Sequence, residues 1–147
     1  MIWCTQVEMI LYETLRLFAP ANSIIRVALC DMRVGDLFVP KGMCFFIPIT
    51  AIHLDPELWG EGVHEFNPQR FAHGMSKAAT HPMAFLPFAH GPRNCIGQSF
   101  ALMEAKIVLA TLLPLFSFAP SPSYKHSPQL VITTRPKYGA PIIVKKL

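Results

Sequence analysis

FLPFAHGPRNCIGQSFALMEAK, residues 85–106, sets one cysteine, Cys95, in a frame of Phe88, Gly91, Arg93 and Gly97, just ahead of a long apolar helical pattern. Five such fixed positions, at ordinary residue frequencies, coincide in a chain of this length with a probability on the order of 10⁻⁵. A thiol binds iron strongly only when deprotonated, so negative charge on Cys95 has to be stabilised where little water reaches. The run IGQSFALMEAKIVLATLL is a strong helix former and places Cys95 at a helix N-terminus, where free amides and the dipole favour an anion. Those amides can also hydrogen-bond the sulfur and tune a metal's potential. Gly91 and Gly97 permit tight turns and the close approach of a flat ring to the backbone. Phe88 can shield the sulfur, while Pro87 and Pro92 stiffen the loop. Arg93, two residues before the cysteine, is spaced to pair with an anionic edge, for which a haem propionate is the obvious candidate. Alone, Cys95 would read as a buried free cysteine. A core cysteine, however, needs neither flanking glycines nor an arginine at that spacing.

Working outward, Val7, Ile10, Leu11, Thr14, Leu15 and Phe18 follow helical spacing and predict an amphipathic helix from Thr5 to Phe18, ended by Ala19 and Pro20. Glu13 and Arg16 share one face of it. Alone they would be a surface ion pair, but with apolar residues on both sides and the distant Arg70 available, a buried charge network is the better reading. SIIRVAL, LFV and MCFFIPI predict a small sheet, with a hairpin at PKG (40–42) between the last two runs. DPELWG predicts a short helix with proline in its first turn. Residues 60–90 carry no sustained period and read as a long coil, whose use would be to deliver Arg70 and then Cys95. The helix after Cys95 is apolar nearly all round and therefore expected to be buried. LVITT and APIIV, joined by RPKYG, predict a terminal β-hairpin.

Composition sets limits. The 147 residues are 52% hydrophobic, enough for the core of one domain, and the net charge of +4 comes from scattered lysines and arginines, which argues against nucleic acid as a partner. Four cysteines without CxxC spacing fit free thiols in a reducing compartment, and six dispersed histidines offer no zinc pattern. Met1 opens no signal peptide, and the one membrane-like run, 96–115, is broken by Glu104 and Lys106. Arg93 and Lys106 could steer an acidic partner, or serve solubility alone.

FAHGPRNCIG resembles the haem-binding loop of the cytochrome P-450 monooxygenases, and other motifs of that family follow in order. ETLR, Glu13 to Arg16, is similar to the glutamate–arginine pair of their K helix, and NPQRF, 67–71, to the segment whose arginine completes a triad with that pair. LMEAK and PKYG look similar to plant members such as cytokinin hydroxylase-like enzymes, which act on isoprenoid or hormone-like substrates. The resemblance covers essentially all 147 residues and implies an α+β, mainly helical fold. Residues 1–147 would be the C-terminal portion of a single cytochrome P-450 domain, with the haem-ligand region at 85–106. It implies haem as cofactor, Cys95 as axial iron ligand, Arg93 and Arg26 as propionate contacts, and Glu13, Arg16 and Arg70 as the structural triad. None of these would be a general acid or base. It implies a lipophilic small-molecule substrate, electrons from an NADPH-cytochrome reductase, and, for a full-length parent, the cytosolic face of the endoplasmic reticulum membrane through an N-terminal anchor absent from this chain. Ile24, Ile25 and Val131 to Thr133 face substrate or simply pack as sheet. Gln69 stands where the family often carries glutamate, which would remove one charge from the triad's surroundings. The match is to the C-terminal part only. Two alternatives therefore stay open: a haem-binding fragment without turnover, and a noncatalytic interaction domain with a structural cysteine.

Overall fold

The computed structural model describes residues 2–147, with side chains from Thr5 onward. Met1 and the side chain of Cys4, which bear on the signal-peptide and free-thiol expectations, lie outside the described residues. Helix α1, Ile2–Leu17, ends before Pro20. Its buried face is Met9, Tyr12, Glu13 and Arg16, one turn apart, while Ile10 and Phe18 of the expected apolar stripe are exposed. The helix turns its charged pair inward, because that pair finds hydrogen-bonding partners in the coil that follows.

Strand β1, Ile24–Val27, pairs antiparallel with β4, Cys44–Ile47, and β2, Met32–Val34, pairs with β3, Leu37–Val39. The β2–β3 hairpin is thus nested inside the β1–β4 ladder. The hairpin expected at residues 40–42 is corrected: the two-residue turn is Gly35–Asp36, with Gly35 at φ +58°, where glycine is the easiest occupant. Lys41 and Gly42 instead return the chain to β1, where Gly42 N–H donates to Ala28 O at 2.8 Å. Helix α2, Ile49–His53, and helix α3, Pro56–Trp59, follow. Asp55 caps α3 by accepting from Glu57 N–H at 2.9 Å, and Gly60 closes it at φ +83°.

Residues 60–97 are coil with two 3₁₀ turns, Pro68–Phe71 and Met75–Lys77. The core sits between this coil, α1 and α3: Met9, Tyr12, Trp59, Val63, Phe71, Ala84 and Phe85 form one buried cluster. Its rings meet tilted or edge-on at centroid distances such as 5.0 Å for Phe71–Phe85 and 5.4 Å for Tyr12–Phe71.

Helix α4, Gln98–Leu112, corrects the expectation of a buried helix, since none of its residues is fully buried. An all-round apolar helix needs cover on every face, and among the described elements α1 supplies its main packing contact. Leu102 touches the core cluster, whereas Met103 is 61% and Ile107 59% exposed. The terminal hairpin is corrected as well. Strand β8, Ile142–Lys146, pairs with β5, Phe116–Pro120, and the local hairpin is β6, Pro128–Leu130, with β7, Thr134–Pro136. Val131 to Thr133 make the bend between β6 and β7, where Val131 N–H bonds Thr133 O at 3.3 Å, so they do not form a strand. The described helices include none long and apolar enough to cross a membrane.

Candidate haem-ligand site

Glu13 and Arg16 are fully buried, and their contact is a two-pronged fork: Arg16 Nε donates to Glu13 Oε2 and Arg16 Nη2 to Glu13 Oε1, each at 2.8 Å. Arg70 Nε lies 3.5 Å from Glu13 Oε1, and Asn67 N–H donates to the same oxygen at 2.9 Å. The structure therefore brings Glu13, Arg16 and Arg70 together. One carboxylate serves two guanidiniums, and backbone carbonyls absorb the surplus positive charge. Arg16 Nη1 donates to His53 O at 2.8 Å and Nη2 to Glu65 O at 3.3 Å; Arg70 Nη1 donates to Trp59 O at 2.7 Å and Nη2 to Gly62 O. Arg16 also lies over the Trp59 ring, 5.2 Å from its centroid. A Cβ on Gly62 would meet Glu65 Oε2 at 3.2 Å and Arg70 Nη2 at 3.3 Å, so any larger residue there would press on the network. Gln69 is exposed and its side chain makes no contact in this network, so glutamine at that position costs the triad no charge.

The cysteine loop is bonded mostly to itself. Cys95 N–H donates to Phe88 O at 2.8 Å, Asn94 N–H to Gly91 O at 3.1 Å, and Ala89 N–H to Leu86 O at 3.0 Å. Ala89 sits at φ +59°, costly for a residue with a Cβ, and Gly91 at +85°. The two frame glycines differ in use. Gly91 serves a left-handed turn with open space around it, whereas Gly97 has an ordinary φ of −84° and a Cβ there would stand 3.8 Å from Cys95 Sγ. Helix α4 begins two residues later than expected, at Gln98, whose N–H donates to Cys95 O at 3.3 Å. The N–H groups of Ile96 and Gly97, next to the sulfur in the chain, have no hydrogen-bond partner among the described residues.

Cys95, Arg93 and Phe88 of this loop share a cleft of about 410 Å³ with Ile24, Ile25 and Arg26 of β1. That volume is in the range of small-molecule sites, roughly 300–1,000 Å³. Arg26 and Arg93 are exposed there, and Arg26 Nη1 donates to Ile25 O at 2.9 Å. Val131 to Thr133 do not line the cleft. Lys106 is paired across α1 and α4 with Glu8, Nζ to Oε1 at 3.2 Å, and so is not a free steering charge. Tyr12 also donates to Glu8, which with Lys106 holds that carboxyl below its usual range, while burial and the Glu8 bond push the Tyr12 hydroxyl up. Among the described residues no three His, Cys, Asp or Glu side chains converge on a metal site.

His53 escaped the sequence reading. It is fully buried between α1 and Leu86, and desolvation lowers its pKa from 6.5 to about 4. Its only sequence signal was a histidine at the last position of a short apolar helix.

The cytochrome P-450 family model matches residues 5–140, and the chain belongs to that family. Two cytokinin hydroxylases of Arabidopsis thaliana are 50% and 49% identical to it over 143 residues, 97% of this chain. An 11-oxo-beta-amyrin 30-oxidase of Glycyrrhiza uralensis is 50% identical over 141 residues, 96% of this chain. The chain spans 27% of the length of each of these relatives.

Proposed function

We propose that residues 1–147 form the cysteine-bearing, C-terminal portion of a haem-thiolate monooxygenase domain acting on a lipophilic, isoprenoid-type small molecule. The observation that carries the proposal is the shared cleft, in which Arg26 meets Phe88, Arg93 and Cys95 from a segment more than sixty residues away in sequence. The donor set suits haem: a thiol, an aromatic ring, two guanidiniums for propionates and the apolar Ile24 and Ile25 for the ring. In this reading Cys95, which is exposed at the cleft rather than shielded by Phe88, is the axial iron ligand, and bound haem together with Phe88 would cover the sulfur. Arg93 and Arg26 hold the propionates, Gly91 shapes the turn and Gly97 leaves room beside Sγ. Glu13, Arg16 and Arg70 hold the loop's platform and touch no reacting atom.

Bound haem would supply the redox chemistry that puts one atom of dioxygen into a C–H bond and releases the other as water, consuming two electrons and two protons. The electrons would come from an NADPH-cytochrome reductase at the endoplasmic reticulum membrane, where the longer protein would be held. The chain's own residues bind and orient the cofactor.

The test is a carbon monoxide difference spectrum of the reduced chain after haem loading, with Cys95→Ser beside it. A red-shifted Soret band lost in the serine variant is expected. A chain that takes up no haem, or a band indifferent to Cys95→Ser, overturns the assignment. The cysteine-dependent band without product on adding reductase and substrate points to the fragment without turnover.

A further inference from the structure

His53 is wedged between two backbone groups far from it in sequence. Its Nδ1 lies 3.0 Å from Arg16 O, and its Nε2 lies 2.8 Å from Leu86 N. A carbonyl only accepts and a backbone N–H only donates, so both contacts are satisfied by one species, the neutral ring with hydrogen on Nδ1. Arg16 returns the contact by donating Nη1 to His53 O at 2.8 Å. The ring cannot swing away freely, since it stacks on Phe85 at 5.6 Å and 24° and meets Trp59 edge-on at 6.1 Å.

The hydrogen bonds of residues 85–97 give this arrangement its meaning. Apart from those running into α4, every one of them stays within the segment except Leu86 N–H to His53, among the described residues. Leu86 O then accepts from Ala89 N–H, and Phe88 O from Cys95 N–H. The path from the imidazole to the cysteine thus runs through one turn and one cross-loop bond, while Phe85 anchors the adjoining residue in the core.

We infer that His53 is a positioning residue for the cysteine loop, locking Leu86, and through it Cys95, to the Glu13–Arg16 end of α1. The inference leans on the haem-ligand assignment only for what the sulfur is positioned to do. A rigid ring is needed, with a donor at the δ place and an acceptor at the ε place, and no other side chain offers both.

Three variants of the full chain separate the two contacts. His53→Gln keeps an acceptor near the ε place, His53→Asn keeps a donor near the δ place, and His53→Phe keeps the stacking alone. Hydrogen–deuterium exchange of the haem-free chain reads the loop directly. The Leu86, Ala89 and Cys95 amides are expected to exchange about tenfold or more faster in the Asn and Phe variants, with Met9 and Tyr12 amides of α1 unchanged and the Gln variant close to the native rate. In the carbon monoxide spectrum the Asn and Phe variants should lose the red-shifted band to an unshifted one, and the Gln variant should retain it. Native loop rates in His53→Phe overturn the inference. So does acceleration of loop and α1 together in all three variants without rescue by Gln. A native chain with no red-shifted band but the expected exchange pattern sinks the haem assignment and leaves the coupling standing.

Discussion

Glu13 is the carboxylate between the buried Arg16 and the half-buried Arg70, and Arg70 Nε, 3.5 Å away, has no hydrogen bond of its own. Glu13→Gln would leave both cations without a counter-charge, and the expected loss is about 3–5 kcal/mol in urea unfolding. Arg16→Lys should also be costly despite keeping the charge, because a single ammonium cannot bridge Glu13, His53 O and Glu65 O together. His53 predicts a pH dependence. Its folded pKa of about 4 lies below the ordinary 6.5, so between those values the unfolded chain holds a proton that the folded chain lacks. The stability from neutral His53 is complete above about 6.5, falls as the pH drops through this window by roughly 3 kcal/mol, and levels off below it. The native unfolding midpoint should fall relative to that of His53→Gln as the pH drops through the window; parallel curves would refute the prediction. Glu13, Arg16 and Cys95 were legible because spacing or local frame marks them. Arg70 needed the family resemblance. His53 was not legible, since its partners are backbone groups 37 and 33 residues away, which any sequence supplies.

At the scale of elements, β-prone runs could be read, but not the choice of partners. MCFFI and APIIV look like hairpin halves beside their neighbours, yet they pair with β1 and β5 across intervening segments. Pairing is decided by which edges meet in space, which alternation does not encode. The β2–β3 turn did have a visible mark in Gly35–Asp36, between two short β-prone runs. In the cysteine loop, Gly91→Ala places a Cβ in open space at φ +85°, so its cost is conformational, about 1–2 kcal/mol, with no steric clash. Thermal unfolding should show that loss, and haem occupancy should fall at limiting haem.

For the whole molecule, stability resides in the aromatic cluster of α1, α3 and the coil, while α4 leans on one side of it. Phe71→Ala should therefore cost about 3–5 kcal/mol. Ile107→Lys, on the exposed face of α4, should leave the unfolding midpoint within about 0.5 kcal/mol of native and reduce binding of an apolar dye. Periodicity rightly marked α4 as apolar all round, but what covers a helix is a property of its neighbours.

The buried members of the cluster run from Met9 to Phe85, so it cannot close until the ribosome has released the chain as far as Phe85, and Leu102 of α4 packs against it only later. Synthesis proceeds from the N-terminus at about 5–20 residues per second, so the order of translation becomes an order of assembly. Cys95 emerges about one second behind Phe85, so the residues that buttress its loop are all available before it, and Leu102 and the β5–β8 ladder follow.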